Sequence, residues 1–207
     1  MRRYSTYLFD FDGTLVDSHD SLTKVFEDSY EAVGVKVPYG YVLRLMRIPL
    51  FQGYEELDAP SDEDSKQRFG DMIIKTLDAP EVLKLTRIYE DTLTNLYRLK
   101  NNGATLGIVT SNNVKHVKDV LHFLSIPEEL FSVIIGNGDT NKHKPNPDPI
   151  YEALKRLNIS KENVCYVGDA LQDKETAINA KVDAILLDRH HEYLEEKGDV
   201  ILSLNEL

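Results

Sequence analysis

The chain has 207 residues, a formal net charge of −11 and a hydrophobic fraction of 42%, which suits one compact domain, with or without an insertion, and excludes a disordered chain. So acidic a chain is a poor partner for nucleic acid or for an anionic membrane surface, because both attract Lys and Arg. We find no signal peptide and no apolar run of about 18 residues, and the single cysteine, Cys165, requires no oxidising compartment, so we expect a soluble, cytoplasmic protein.

Short strands and helices alternate along most of the chain. An aromatic and apolar run at 4–9 predicts the first strand, and similar runs predict strands at 105–109, 133–135, 164–167 and 184–187. Apolar periodicity predicts helices at 91–101, 114–124, 149–157 and 171–180. This alternation predicts an α/β fold with a parallel sheet and helices on both of its faces.

A long segment interrupts the alternation after the first strand. Residues 16–86 contain no convincing strand, but helical patterns cover 18–33 and 62–77, and four prolines limit the length of the helices. We therefore predict a helical domain at 16–86, inserted into a core made of residues 1–15 and 87–207.

Two aspartates follow the first predicted strand. Asp10 and Asp12 are two residues apart, so their side chains start on the same side of an extended chain, and Gly13 permits a tight turn after them. Neighbouring carboxylates repel each other unless a cation joins them, and Mg²⁺ binds carboxylates together with substrate phosphate. The pair predicts a metal site, with an ordinary acidic turn as the alternative.

Residues suited to a phosphate group follow two other predicted elements. Thr110 and Ser111 precede a helix whose free N–H groups can bind phosphate, although such residues also serve as plain helix caps. Lys144 lies in a proline-rich turn that can hold its side chain against a phosphoryl group. The alternative for Lys144 is a solvated surface position.

Two further aspartates follow the strand predicted at 164–167. Asp169 lies at the same sheet edge as Asp10 and can complete a metal site. Asp173, one helical turn later, can orient that site without contacting the metal. The alternative is an acidic helix start, which the helix dipole favours. All these residues lie at the carboxyl ends of predicted parallel strands, where ligands bind in open α/β sheets.

Four segments of this chain resemble the signature blocks of the haloacid dehalogenase superfamily of hydrolases. They are DFDGTLVDS at 10–18, IVTSN at 108–112, HKPNPDP at 143–149 and VGDALQD at 167–173. The resemblance covers nearly the whole chain. It implies a Rossmann-like core and an α-helical cap inserted after the first block, as in phosphoglycolate-phosphatase-like relatives.

The resemblance also implies a role for each matching residue. It implies that Asp10 is the nucleophile and that Asp12 is the general acid and base, with its backbone carbonyl on the metal. It further implies that Thr110 and Lys144 hold the transferring phosphoryl group. Asp169 matches the third protein ligand of Mg²⁺ and Asp173 a supporting carboxylate. We group Ser111 with the phosphate-binding residues.

The expected activity is that of a Mg²⁺-dependent phosphatase, which acts on a small phosphorylated metabolite through an aspartyl phosphate on Asp10. Dehalogenation is not expected, because the dehalogenases of the family lack an aspartate at the position of Asp12. Two alternatives remain: a sugar phosphomutase that uses the same nucleophile, and a non-catalytic binding or regulatory protein. The sequence predicts neither the substrate nor the oligomeric state.

Two departures from the family pattern concern the helical domain and a turn. Arg47, Ile48 and Pro49 stand where a glycine-containing turn is common, which leaves the substrate open. Arg44 and Arg47 either meet an anionic substrate or form a solvated helix face, and we favour the second interpretation because arginine is mostly exposed. Lys181 stands where many relatives have glycine, and we expect it to alter only a turn.

Overall fold

The protein is described here by a computed structural model, which covers residues 3–77, 79–193 and 195–207. The basic start of the chain, Met1 and Arg2, lies outside these residues. The chain divides into two compact units. One comprises the chain up to Val16 together with Ile88–Leu207, and the other comprises Asp17–Arg87. We call them the sheet unit and the helical unit.

The described residues form short strands and helices, named here in chain order. The strands are β1 Thr6–Phe9, β2 Val16–Asp17, β3 Arg87–Ile88, β4 Thr105–Val109, β5 Val133–Ile135, β6 Val164–Gly168, β7 Asp183–Leu187 and β8 Asp199–Ile201. The helices are α1 His19–Glu31, α2 Val42–Met46, α3 Leu50–Glu56, α4 Glu63–Leu77, α5 Pro80–Leu83, α6 Thr92–Asn101, α7 Val114–Phe123, α8 Asp148–Leu157 and α9 Leu171–Ala180. Within the described ranges, no helix is both long and apolar enough to cross a membrane.

The sheet unit contains a six-stranded sheet in the order β5-β4-β1-β6-β7-β8. Each neighbouring pair is parallel, so every strand delivers its carboxyl end to the same edge. β1 is central, and its residues are buried without exception. The predicted parallel α/β fold is confirmed.

The sheet is apolar on both faces because its strands are covered on both sides. Leu8 of β1 and Tyr166 of β6 belong to one buried cluster with Ile150 of α8 and Ala177 of α9. Tyr7 and Phe9 point to the opposite face, since side chains alternate along a strand, and both are buried as well. Such two-sided burial explains why the strands read as continuous apolar runs.

The prediction missed three short strands. β8 has three residues and begins just after Gly198, so it is too short to show alternation. β2 and β3 have two residues each and pair with each other. The expectation that 16–86 contains no strand is therefore wrong at its first two residues.

The helical unit has its own hydrophobic core. The rings of Tyr30 and Tyr54 each lie 4.8 Å from that of Phe69, and all three side chains are buried. α1 and α4 supply Tyr30 and Phe69 and match the two helices predicted here. The short helices α2, α3 and α5 were not predicted, because each has seven residues or fewer. Pro49 and Pro80 lie at the starts of α3 and α5, where proline costs no hydrogen bond.

Candidate active site

The candidate site begins where β1, β4 and β6 end side by side. The register pairs Phe9 with Ile108 on one side and with Val167 on the other. The Asp10 N–H continues this ladder by donating to the Val167 carbonyl at 2.8 Å. The loops that carry Asp10, Thr110 and Asp169 therefore start from adjacent positions at one sheet edge.

Lys144 lies at the centre of the buried polar groups. Its Nζ donates to Asp10 Oδ1 at 2.8 Å, to Asp173 Oδ1 at 2.7 Å and to the Tyr166 hydroxyl at 3.3 Å. The side chains of Lys144, Asp10 and Asp173 are only 5%, 9% and 3% exposed. An ammonium group has three N–H donors, so each of them has an acceptor here, and the solvated-surface interpretation of this lysine does not hold.

The backbone of the loop that carries Lys144 is hydrogen-bonded to α9. Gln172 Nε2, from the first turn of α9, donates to the Lys144 carbonyl at 3.0 Å. The peptide bond between Lys144 and Pro145 is cis. α8 begins shortly afterwards at Asp148, with Pro149 in its first turn, as the proline pattern predicted.

Three carboxylates converge beside Lys144. One ligand oxygen from each of Asp10, Asp169 and Asp173 lies within 4.8 Å of the others, and we call these residues the three-carboxylate cluster. A single nearby ammonium cannot balance three carboxylates, and hard oxygen donors at this spacing are what Mg²⁺ prefers in proteins. The donor set of the cluster therefore fits a divalent cation.

Thr14 and Gly13 shape the side of the cluster formed by Asp169. Thr14 Oγ1 donates to Asp169 Oδ1 at 3.0 Å. Gly13 has φ +79°, and a Cβ at this position would lie 2.6 Å from the Asp169 carboxylate. Only glycine satisfies both the backbone conformation and the close approach, so the Asp-Gly-Thr turn is built around Asp169.

The side chain of Asp12 lies outside the three-carboxylate cluster. Its Oδ2 accepts a hydrogen bond from Asn112 Nδ2 at 2.7 Å, and the Asn112 N–H donates to Thr110 Oγ1 at 3.1 Å. The two aspartates after β1 thus have different surroundings: Asp10 faces Lys144, and Asp12 faces the loop after β4. Thr110 is buried and Ser111 is exposed.

Burial and charge shift the pKa values at the centre of the site. Burial raises the pKa of Asp10 well above its ordinary value, and the Asp173 and Asp169 carboxylates add to the rise against the opposing effect of Lys144. Burial opposes the charge on Lys144, but Asp10 and Asp173 outweigh it and raise the pKa of Lys144 well above its ordinary value. The three carboxylates thus carry more negative charge than the single lysine compensates.

Tyr166 and Asn112 contact the predicted residues but were not among the predicted site residues. The Tyr166 hydroxyl accepts from Lys144, lies 3.1 Å from Asp173 Oδ1 and donates to the Val109 carbonyl at 2.7 Å. A tyrosine within a predicted strand is indistinguishable from an ordinary core residue. Asn112 lies in the Thr-Ser-Asn segment, where its amide was interpretable only as part of a helix cap.

The helical unit uses Arg44 in an internal ion pair. Arg44 Nη2 and Nε donate to the two carboxylate oxygens of Glu56 at 2.6 and 2.7 Å, and the Tyr41 hydroxyl donates to the same carboxylate at 2.7 Å. These hydrogen bonds lower the pKa of Glu56 to about 2, and the bond from Arg44 contributes most. Arg44 is therefore held against α3 while its side chain stays exposed, as the solvated-face interpretation expected.

Comparisons with known proteins show which family and fold this chain resembles. A family model described as haloacid dehalogenase-like hydrolase matches residues 7–187. The protein named "Putative pyrophosphatase PpaX" from Caldanaerobacter subterraneus subsp. tengcongensis is 32% identical over 186 residues, which cover 88% of this chain and 81% of that protein. A phosphoglycolate phosphatase from Psychrobacter arcticus is 27% identical over 214 residues, which cover 96% and 87%. The crystal structure of a "Putative haloacid dehalogenase-like hydrolase" from Bacteroides fragilis shares the fold with a TM-score of 0.89, at 28% identity and over 99% of each chain.

Proposed function

This chain belongs to the haloacid dehalogenase-like hydrolase family and is an enzyme of the phosphatase class, and we propose that it hydrolyses small phosphate monoesters with Mg²⁺ and with Asp10 as the nucleophile. One observation carries the proposal. The buried ammonium of Lys144 lies 2.8 Å from the Asp10 carboxylate, which shares the three-carboxylate cluster with Asp169. The proposed nucleophile, a cation suited to phosphate and a donor set suited to a metal therefore lie at one sheet edge.

In the first step, the Asp10 carboxylate attacks the phosphorus atom. A P–O bond to Asp10 forms as the bond to the leaving alkoxide breaks, and Asp12 donates the proton that the alkoxide takes up. The hydrogen bond from Asn112 holds the Asp12 carboxylate in place for this transfer. Lys144 can move one N–H donor onto a phosphoryl oxygen, which offsets the charge that develops there.

In the second step, a water molecule attacks the phosphorus of the aspartyl phosphate. Asp12, now ionised, accepts a proton from that water, and Asp10 leaves as a free carboxylate together with inorganic phosphate. Acid–base catalysis of this kind contributes typically ~10²–10⁴-fold to the rate. Both steps balance with substrate and water as the only reactants.

We assign the metal to the Asp10 and Asp169 carboxylates and the Asp12 backbone carbonyl. When bound, Mg²⁺ neutralises charge between the anionic nucleophile and the anionic phosphate. Asp173 is better suited to support, because its Oδ1 accepts from Lys144 and its Oδ2 accepts from the Ala170 N–H at 3.1 Å. Thr110 and Ser111, before α7, are proposed to bind the phosphate oxygens.

The substrate class follows from relatives rather than from the site itself. The names of two similar proteins refer to pyrophosphate and phosphoglycolate, so we propose a small phosphate monoester as the substrate, with pyrophosphate, a phosphoanhydride whose leaving group is phosphate, as the alternative. The helical unit, Asp17–Arg87, is proposed to act as the cap that selects among them.

The test is a panel of phosphorylated compounds incubated with the purified protein and Mg²⁺. It includes phosphoglycolate, sugar phosphates, nucleoside monophosphates and pyrophosphate, with release of inorganic phosphate as the readout. We expect Mg²⁺-dependent release from at least one compound. A sugar phosphate that is isomerised without phosphate release would support a phosphomutase instead.

The nucleophile is tested by Asp10→Asn, which should lower kcat by about 10³-fold or more because an amide cannot form the aspartyl phosphate. Asp119→Asn makes the same chemical change at an exposed pair on α7 and should leave the rate unchanged. Full Mg²⁺-dependent activity in Asp10→Asn would refute the mechanism.

A further inference from the structure

Arg189 follows β7 and connects parts of the sheet unit that are distant in sequence. Its Nη1 and Nη2 donate to the two oxygens of Asp91, each at 3.0 Å, and Nη2 also donates to the Thr14 backbone carbonyl at 2.9 Å. The centre of its guanidinium lies 3.8 Å from the centroid of the Tyr89 ring. The Arg189 side chain is 10% exposed and that of Asp91 is 8% exposed.

Asp91 is itself firmly held. Its Oδ2 accepts from Ser203 Oγ at 2.7 Å and from the Leu204 N–H at 2.8 Å, in addition to Arg189. Burial opposes its charge, but the bonds from Arg189 and Ser203 prevail, and the pKa of Asp91 lies below its ordinary value. The guanidinium is thus fixed between an anchored carboxylate and an aromatic ring.

The contact with Thr14 extends this anchor to the three-carboxylate cluster. Thr14 is fully buried, and its hydroxyl donates to Asp169 Oδ1 at 3.0 Å. On the basis of the proposed function, we propose that Arg189 is a positioning residue for the divalent-metal site. It holds the Thr14 carbonyl, so that the Thr14 hydroxyl orients the Asp169 carboxylate toward the metal.

The arrangement requires arginine rather than any cation. A planar guanidinium reaches both Asp91 oxygens and the Thr14 carbonyl at the same time, whereas the single Nζ of a lysine cannot reproduce this fork. Arg189→Lys keeps the positive charge beside Asp91 and releases the Thr14 carbonyl. The substitution therefore isolates the positioning contact from the charge.

The experiment measures metal binding directly, in protein without substrate. Mn²⁺ binding is followed by electron paramagnetic resonance, and Mg²⁺ binding by calorimetry. Arg189→Lys should weaken binding by about 3- to 10-fold, less than the ~10–100-fold typical of residues that contact a metal ligand directly. Arg98→Lys is the control, because Arg98 lies in the same unit and also makes two guanidinium hydrogen bonds, from Nε and Nη2 to Asn95 Oδ1 at 3.0 and 2.9 Å. It should leave the affinity within about 2-fold of wild type.

The route through Thr14 is tested with a double-mutant cycle. Thr14→Val should weaken metal binding, and Arg189→Lys should add nothing in that background. Thr14→Ser keeps the hydroxyl and should stay close to wild type. If Arg189→Lys matches Arg98→Lys, or if its effect adds fully to that of Thr14→Val, the inference is wrong.

Two further variants keep the result interpretable. If Arg189→Lys does not fold, Asp91→Asn loosens the same guanidinium and should weaken metal binding in the same direction, and unchanged binding would overturn the inference. Asp169→Asn separates this inference from the proposed function. If Asp169→Asn binds metal as tightly as wild type, the proposed metal site itself fails. If Asp169→Asn loses binding while Arg189→Lys does not, only the role of Arg189 fails.

Discussion

The hydroxyl oxygen of Tyr166 lies among three groups of the site: Lys144 Nζ, Asp173 Oδ1 and the Val109 carbonyl. It accepts one N–H of the lysine and donates its own proton to the carbonyl. Since the remaining two lysine donors bind Asp10 and Asp173, the tyrosine completes the set of acceptors that fixes the ammonium beside Asp10, the proposed nucleophile. Replacing Tyr166 by phenylalanine therefore removes a single oxygen atom from the site without changing any side-chain charge.

We predict that Tyr166→Phe lowers kcat/KM by about 3- to 10-fold, which corresponds to a lost hydrogen bond of about 1 kcal/mol. The ring keeps its packing, so the melting temperature should fall by only a few degrees, at about 2–4 °C per kcal/mol for a chain of this size. Steady-state kinetics and a thermal melt measure the two effects.

Tyr7→Phe provides the comparison for this prediction. Tyr7 is a buried tyrosine on β1 whose hydroxyl accepts from the Tyr4 N–H at 3.3 Å, so its loss also removes one hydrogen bond from the sheet unit. It should lower the melting temperature without changing kcat/KM. Equal kinetics in the two variants would show that the Tyr166 hydroxyl is only structural.

At the scale of single residues, the sequence predicted the site residues that are charged and lie near the ends of apolar strands. Asp10, Lys144, Asp169 and Asp173 stand out in this way, and the structure brings them into contact. Tyr166 could not be predicted as a site residue, because a tyrosine suits the interior of a strand. Arg189 could not be predicted either, because its role depends on Asp91 and Thr14, which are 98 and 175 residues away in the chain.

The elements that could be predicted are the longer ones. α1, α4 and the helices of the sheet unit were found within about two residues of their observed ends, because each spans enough turns to repeat its apolar face. The sequence did not predict the order of the strands in the sheet, because any strand can in principle lie beside any other. The short elements β8, α2, α3 and α5 were missed because each is too short to show the apolar periodicity of a strand or a helix.

The residue that follows α9, Lys181, stands where many relatives have glycine, and its backbone conformation costs free energy. Lys181 follows the helix in the left-handed conformation, with φ +58°, and is exposed. This conformation is strained for a residue with a Cβ and is occupied readily by glycine. The departure therefore leaves strain in the turn before β7.

We predict that Lys181→Gly stabilises the protein by about 0.5–1 kcal/mol, the difference between relieved strain and the greater entropy of an unfolded glycine. Its melting temperature should rise by about 1–4 °C. Asn158→Gly is the matched control, because Asn158 ends α8 with φ +53° and asparagine tolerates this conformation. A change of equal size in both variants would show that relief of strain at Lys181 is not the cause.

Over the whole molecule, the proposed metal site would link metal binding to folding through the three-carboxylate cluster. In the absence of a cation, folding buries Asp10 beside two other carboxylates, and its pKa rises above the ordinary value of 3.8. Between 3.8 and the raised value, the folded state binds more protons than the unfolded state, so stability without metal falls as the pH rises. A divalent cation bound at the proposed site would replace that proton, and its stabilising effect should therefore grow with pH.

We predict that Mg²⁺ at about 100 times its Kd stabilises the protein by about 2.7 kcal/mol, a rise of about 5–10 °C in melting temperature for a chain of this size. The rise should be larger at pH 8 than at pH 5.5, because protons compete with the metal at Asp10 at the lower pH. Asp169→Asn should abolish it. Asp139→Asn should keep it, although this variant also alters a carboxylate that accepts from a backbone N–H and from an arginine. Thermal melts with Mg²⁺ or EDTA at both pH values measure these effects, and a rise that persists in Asp169→Asn would place the cation elsewhere.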